Sequence, residues 1–553
     1  MLMACFPKLH LPGLVWVACL PLLAVLAVEK RLKHAFLLGY VCGAFFFAGS
    51  CHWFTTVMEF YGRLEPAVAV VVLILFVIID STFFGAFGLL MGWAARRSPG
   101  WALALSPFLW MAMELARTYL ITGFPWNLLG YAVQASGVRQ IASITGVYGL
   151  SFLAVATSAL LAWVWVSSGT WKGGALAPPS QRSLTPTPSP ASGRGGTTKW
   201  VRAWVAGLKP RPFVALAVWT ALLLLAQWRL APPPTTEGKE LAVLIQPNVP
   251  LDEAQLESWA PWRDPSQLQQ LVQFSVSSIE RFSSNKAASG SVRPEAAIDN
   301  RQSTIGNPPL LIWAENPAPF FFTRDPVFRS AMENLARQTH AYVIANTVIP
   351  IDASEDTITN SAFTLDPEGR EVSRYDKIHL VPFGEYVPSW ALPGLVHKIT
   401  SEVGNFIPGS SYPVASSPGG GIGVFICYEA IIPQLARKLT ANGAGVLVNI
   451  SNDAWYGKSA AAYQHLEMAR LRAIENHRYL LRATNNGLTT LIDPYGRVRG
   501  DIPRYQRLAM PARFDFETQQ TFYTAHGDWF AWLCSSVAAL MLLVAFGGSG
   551  KKA

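Results

Sequence analysis

Hydrophobic and polar positions divide this chain into two kinds of sequence. Apolar stretches of helical length run at about Leu11 to Val28, Ala35 to Val57, Pro66 to Ala94, Trp101 to Ile121, Ile141 to Val166, Phe213 to Leu230 and Trp529 to Phe546. Each is near the roughly 20 residues with which a helix crosses a bilayer. Between Leu241 and Thr524 the pattern changes to short β-branched or apolar runs separated by amphipathic stretches. The runs Leu241 to Gln246, Leu310 to Ala314, Ala341 to Ala345, Gly423 to Ile426 and Gly445 to Ile450 predict buried strands. Helices are predicted over Glu253 to Phe282, Pro326 to Gln338, Ile432 to Ala441 and Tyr463 to His477. Such alternation implies a layered α/β domain, with functional groups gathered just past strand ends.

Composition agrees with the apolar pattern. At 553 residues, 51% hydrophobic and only 14% charged, the chain is too apolar for one soluble globule. An integral membrane protein with about seven spans is expected. Leu11 to Val28 by itself would pass for a secretory signal, but as one of a series it reads as a retained span. Lys30, Arg31 and Lys33 follow the first span, Arg96 and Arg97 the third, and a cluster from Lys172 to Arg211 the fifth. Retention of Lys and Arg on the cytoplasmic side places these loops inside and residues 231 to 528 outside the cytoplasm. The net charge of +9 then comes largely from cytoplasmic loops and asks for no nucleic-acid partner. Ala177 to Thr198 and Ser283 to Pro308 are Pro-, Ser- and Gly-rich inserts, expected to be disordered. The expected organisation is a transmembrane helical domain over 1–231 with a disordered loop at about 172–200, a catalytic domain over 238–525 with an insert at about 283–308, and a last transmembrane helix over 528–547.

Three groups in the polar half sit where chemistry gathers. Cys427 ends the run Gly423 to Ile426 and is the only cysteine of that half, so it has no local disulfide partner. A lone thiol is either inert core filling or a nucleophile. Glu315 follows the strand Leu310 to Ala314, where a partly desolvated carboxylate suits a general base but serves equally as a cap or loop acid. Lys377 lies in a stretch to Pro388 dense in aromatic, Pro and Gly residues, which fits a shaped loop, although a lone lysine is usually a surface charge. A nearby ammonium would favour the Cys427 thiolate. Together an acid, a lysine and a cysteine form a plausible acyl-transfer centre. His379, His465 and His477 lack ligand-like neighbours in sequence, and neither a metal cluster nor a cofactor motif is evident.

At these residues the sequence resembles the nitrilase superfamily and, more closely, the bacterial apolipoprotein N-acyltransferases. The resemblance is carried by Lys377 to Pro388, Ile426 to Glu429, Ser451 to Lys458 and Arg482 to Gly487, and in the membrane half by Thr122 to Trp126 and Gly146 to Gly149. It implies an αββα sandwich on a helical membrane bundle, with Glu315 as general base, Lys377 stabilising the oxyanion and Cys427 as nucleophile. It further implies supporting roles for Glu385, Tyr428 and Glu429, and substrate or lipid contacts for Asn452, Trp455 and Tyr456. The implied reaction moves the sn-1 acyl chain of a phospholipid, typically phosphatidylethanolamine, through a cysteine thioester to the α-amino group of a lipoprotein's S-diacylglyceryl-cysteine. No cofactor is implied, and the enzyme would sit in the bacterial inner membrane with its catalytic domain on the periplasmic face.

Because both substrates carry acyl chains, the pocket is expected to open towards lipid, with Phe320, Phe321, Phe322, Trp390, Trp455 and Tyr456 as candidate lipid-dipping rings or, equally, core. Two features depart from the family pattern. Its members usually have eight spans, and the first apolar segment here matches their second; the two inserts are also additional. Asp80, and Glu114 with Arg117 at helical spacing, are charged positions in spans, read as structural pairs or headgroup contacts. The rival reading is a membrane-tethered nitrilase-type amidase acting on small amides with the same three residues.

Overall fold

The computed structural model describes residues 1–7, 9–60, 64–121, 123–168, 210–249, 259–283, 307–315, 320–351, 357–382, 384–386 and 406–547. The predicted insert at Ala177 to Thr198, most of that at Ser283 to Pro308, and Trp390 lie outside these residues.

Among the described residues five helices are long and apolar enough to cross a membrane: Leu32–Ser50, Pro66–Ala95, Ala142–Ser167, Arg211–Arg229 and Trp529–Phe546. The other two predicted spans differ for reasons of sequence. Leu11 to Val28 is broken into a 3₁₀ turn over Pro12–Trp16 and a seven-residue helix over Leu20–Leu26; with Pro12 and Pro21 both at helix starts, no single long helix forms. Trp101 to Ile121 becomes the 21-residue helix Pro99–Tyr119, whose Ser106, Glu114, Arg117 and Thr118 make it less apolar than its neighbours. Leu32–Ser50 and Pro66–Ala95 pack backbone to backbone. A Cβ on Gly39 would strike the Phe84 carbonyl, and one on Gly88 the Ala35 carbonyl. Small residues are what permit such closeness where lipid offers no hydrophobic drive to association.

The polar half holds two six-stranded sheets. Twelve strands run as β1 (Glu240–Gln246), β2 (Leu310–Trp313), β3 (Tyr342–Pro350), β4 (Ile358–Leu365), β5 (Glu371–Asp376), β6 (Ala415–Ser417), β7 (Gly420–Ile426), β8 (Ala444–Ser451), β9 (Tyr479–Thr484), β10 (Thr490–Ile492), β11 (Val498–Asp501) and β12 (Leu508–Phe514). The first sheet is ordered β12-β1-β2-β3-β4-β5 and the second β11-β10-β9-β8-β7-β6. β1, β2 and β3 are mutually parallel, as are β7, β8 and β9. β5 is two antiparallel steps from β3, so it ends on the same edge as β2.

Alternation along β1 sorts the core. Leu241, Val243 and Ile245 join the cluster under helices Ser266–Ser283 and Pro326–Thr339, whereas Ala242 and Leu244 join the large cluster that holds the second sheet. A strand buried on both faces reads as one continuous apolar run. Helix–sheet–sheet–helix layering is completed by Pro433–Ala441 and Ala461–Asn476 on the second sheet. The last of these is buried nearly all round, because its outer face lies on Ala142–Ser167 and the turn Leu129–Ala132 of the membrane half. Its polar side chains find partners there. Gln464 accepts from Trp126 Nε1 at 2.7 Å, and Glu467 meets Arg139 at 3.3 Å and Gln134 at 2.9 Å.

Candidate active site

Glu315, Lys377 and Cys427 stand just past β2, β5 and β7 on one edge of the sandwich, and all three are buried. Lys377 Nζ lies 2.8 Å from Glu385 Oε1 and 3.7 Å from Glu315 Oε1. Asn360 of β4 donates its Nδ2 to both carboxylates, at 3.0 Å to Glu315 and 2.9 Å to Glu385. Its own Oδ1 accepts from Asn346 Nδ2 at 2.8 Å. The second oxygen of Glu315 accepts the Asn452 backbone N–H at 3.0 Å. One ammonium and one amide thus separate two acids that would otherwise repel.

The electrostatics follow from this packing. Burial works to lower the pKa of Lys377, but the Glu385 and Glu315 carboxylates outweigh it and raise the value, so the side chain stays an ammonium. For Cys427, burial comes first and pushes the thiol up; Glu315 adds to this, and Lys377 and a hydrogen bond with Ser451 only partly oppose it. The expected thiolate is therefore not the resting form. A neutral thiol beside a carboxylate requires its proton to be taken as the sulfur reacts. Cys427 also has φ of +50°, a left-handed conformation that a residue with a Cβ adopts only when its surroundings enforce it.

Glu429 ties the lysine loop to the cysteine turn. Its Oε1 accepts from Ile378 N–H at 2.8 Å, His379 N–H at 3.0 Å and Tyr375 Oη at 2.7 Å, while Oε2 accepts from Ile426 N–H at 2.8 Å. Burial pushes this carboxyl up to about 7 against the pull of those donors. Glu385 does a similar job at shorter range, with Oε2 accepting the Val381 N–H at 2.8 Å.

Other expected site residues are placed differently from one another. Tyr428 is buried and its Oη points to the Gly123 carbonyl of the membrane half at 3.5 Å. Asn452 is buried with its Oδ1 fixed by Ala454 N–H and Asn485 Nδ2, and its Nδ2 finds no acceptor among the described residues. Tyr456 is buried against Trp53, Trp126 and His465, whereas Trp455 is 38% exposed. The lipid-rim expectation needs correcting for Phe320 and Phe322. Both are core rings, stacked on Phe328 and Phe363 at 4.5 and 4.1 Å. Asp80 and Arg117 are both buried, and Arg117 donates to the Trp126 carbonyl at 3.0 Å.

Sequence reasoning missed Asn360 and Tyr375, on β4 and β5, which it did not predict, and Asn346, one residue past the predicted run Ala341 to Ala345. It also missed the buried set Asp453, His465 and Arg482 beneath Cys427, although Asp453 and Arg482 lie within stretches already picked out. Among the described residues no group of three or more His, Cys, Asp or Glu could hold a metal ion.

The double sheet, with glutamate, lysine and cysteine at its strand ends and a set of apolar helices joined to it, belongs to a membrane protein of the carbon–nitrogen hydrolase superfamily. Residues 254–520 match the carbon–nitrogen hydrolase family, and residues 1–160 match the apolipoprotein N-acyltransferase N-terminal domain. The chain is 34% identical to the apolipoprotein N-acyltransferase of Geobacter metallireducens over 552 residues, 98% of this chain and 92% of that protein. It is 29% identical to the apolipoprotein N-acyltransferase of Pseudomonas putida over 542 residues, 96% and 92% of the two chains. Among solved structures, an amidase from Nesterenkonia sp. aligns at 17% identity and a TM-score of 0.35, covering 53% of this chain and 98% of that one. The chain belongs to the apolipoprotein N-acyltransferase family.

Proposed function

We propose that this protein transfers the sn-1 acyl chain of a phospholipid to the α-amino group of an S-diacylglyceryl-cysteine at a lipoprotein's N-terminus, in two steps through Cys427. The observation that carries the reading is the gathering of a buried thiol, a buried ammonium and a buried carboxylate on one sandwich edge beside membrane helices. In the first step Glu315 takes the thiol proton as Sγ attacks the ester carbonyl. The oxyanion faces Lys377 Nζ and the Tyr428 backbone N–H. Collapse of this intermediate forms the thioester and breaks the ester bond, and the departing lysophospholipid oxygen takes the proton from Glu315. In the second step the acceptor amine attacks the thioester, and its proton passes through Glu315 to the leaving Sγ. Asn452, Trp455 and Tyr456 would contact substrate, and Glu385 and Glu429 would hold the lysine and cysteine loops.

Two further parts of the reading follow. Phosphatidylethanolamine is the proposed donor and a diacylglyceryl-apolipoprotein the proposed acceptor. Residues 1–231 and 528–547 form the membrane domain, and the catalytic domain over 238–525 lies on the periplasmic face of the inner membrane, as the distribution of short-loop Lys and Arg favours. Holding the pocket at the lipid surface avoids lifting acyl chains into water, at about 0.8 kcal/mol per CH₂. Mass spectrometry of the purified protein with phosphatidylethanolamine tests the reading. Wild type should gain a hydroxylamine-sensitive acyl mass that Cys427→Ala lacks; no such mass on wild type overturns it.

A further inference from the structure

The carbonyl of Cys427 is gripped from below. His465 Nε2 lies 3.1 Å from that oxygen, while Nδ1 lies 3.2 Å from Asp453 Oδ1 and 3.1 Å from Arg482 Nη2. Arg482 Nη2 also reaches both oxygens of Asp453, at 2.8 and 2.9 Å. All three side chains are fully buried. A carbonyl oxygen can only accept, so Nε2 carries the hydrogen, and Nδ1 of the neutral ring is left to accept from Arg482. Burial and Arg482 lower the pKa of His465, in keeping with a neutral ring. Nε2–H is then a fixed donor to the Cys427 carbonyl.

That carbonyl belongs to the same planar peptide as the Tyr428 N–H, and in a trans peptide the two point in opposite directions. Fixing one fixes the other. A donor on the carbonyl also polarises the amide and strengthens its N–H as a donor. The histidine ring in turn is held by aromatic neighbours, including Trp126 from the membrane half, stacked at 5.9 Å and 26°. The adjacent Gln464 anchors the Trp126 indole N–H at 2.7 Å.

We propose that His465 is a positioning residue that aims the Tyr428 N–H at the oxyanion by holding the carbonyl of the same peptide, with Trp126 of the membrane half fixing the ring. The proposal rests on the reading of Cys427 as the acyl-forming nucleophile.

The test uses the full-length protein in lipid nanodiscs containing phosphatidylethanolamine, with acyl-thioester formation followed by mass spectrometry and Cys427 alkylation by iodoacetamide as the control. His465→Gln carries an amide nitrogen out to the place of Nε2, and His465→Asn does not. His465→Asn should slow acylation about 100-fold, the scale on which a misaimed group costs rate, with lipid KM and the alkylation rate unchanged. His465→Gln should recover most of that loss. Acylation by His465→Asn at the wild-type rate overturns the proposal. So does equal impairment of both variants with matching losses of thermal stability, which is the mark of a merely structural residue. Absence of any acyl mass on wild type removes the nucleophile reading itself and is seen separately from either result.

Discussion

Glu475 accepts the backbone N–H of Val147 at 3.0 Å, across the boundary between the α/β half and the membrane helices. The amide is available because Gly146, at φ of +66°, breaks the helix Ala142–Ser167 one residue earlier. Glu475 therefore caps a restarted helix from outside, a role usually filled locally. Its charge is balanced by Arg472, with Nε to Oε2 at 2.8 Å, and both are fully buried.

Breaking that pair from one side should be worse than removing it. Glu475→Ala strands a buried guanidinium and leaves the Val147 amide uncapped, so a loss of about 3–5 kcal/mol is expected. The pair replacement Arg472→Met with Glu475→Met should cost less than the single change. Thermal unfolding of detergent-solubilised full-length protein compares them; a double variant less stable than Glu475→Ala would contradict this account.

Lys377 is expected to tolerate no neutral replacement. Lys377→Met removes an oxyanion donor, a loss of about 100- to 1,000-fold in rate, and also leaves Glu315 and Glu385 facing each other through Asn360 alone. Adding Glu385→Gln to Lys377→Met relieves the repulsion without restoring the donor. The pair should therefore regain stability but not acylation, measured by unfolding temperature and by thioester mass in parallel.

Glu315 and Cys427 were legible from sequence because each follows a strand buried on both faces, and such strands appear as unbroken apolar runs. Leu310 to Trp313 and Gly420 to Ile426 are of this kind. Lys377 was marked only by the aromatic-, Pro- and Gly-rich stretch that it opens. β4 and β5 were not legible. In β4, Thr359, Asn360, Ser361 and Thr364 are polar yet buried, and in β5 only Tyr375 is buried, so neither strand shows the apolar run that marks a buried strand. His465 was hidden differently. It sits on a helix buried on both sides, where polar residues satisfied by the membrane half look like an ordinary solvated face. The broken first span was predicted as one helix because hydropathy alone ignores Pro12 and Pro21.

Resting Cys427 should behave as a slow thiol towards small alkylating agents. With its pKa raised by burial and by Glu315, thiolate accumulates only as pH climbs beyond the ordinary cysteine range near 8.5. The iodoacetamide rate on Cys427 should still be rising with pH through that range without a plateau. In Glu315→Gln the neighbouring negative charge is gone, so the rise should begin at lower pH. A plateau in wild type at neutral pH, followed by peptide mass mapping of the labelled residue, would count against the protonated resting thiol.

Glu429 gives stability an unusual pH dependence. Its carboxyl is pushed up to about 7 in the folded protein, chiefly by burial, against an ordinary value of 4.5. Between those values the folded state holds a proton that the unfolded chain has lost, so stability must fall as pH rises through the window. A separation of this size corresponds to about 3 kcal/mol, present below pH ~4.5 and lost above ~7. Glu475, also pushed up to about 7 by burial, acts in the same direction. Asp453 does not interfere, because Arg482 overcomes its burial and holds it below the usual carboxylate range, so its contribution is lost only in stronger acid. Glu429→Gln cannot titrate, and its amide would face the Ile378, His379 and Ile426 donors with a donor of its own. The variant should be less stable than wild type at pH 5 and show a flatter decline from pH 5 to 7, read from urea unfolding at a series of pH values. A slope identical to that of wild type would mean that Glu429 is already ionised throughout the window.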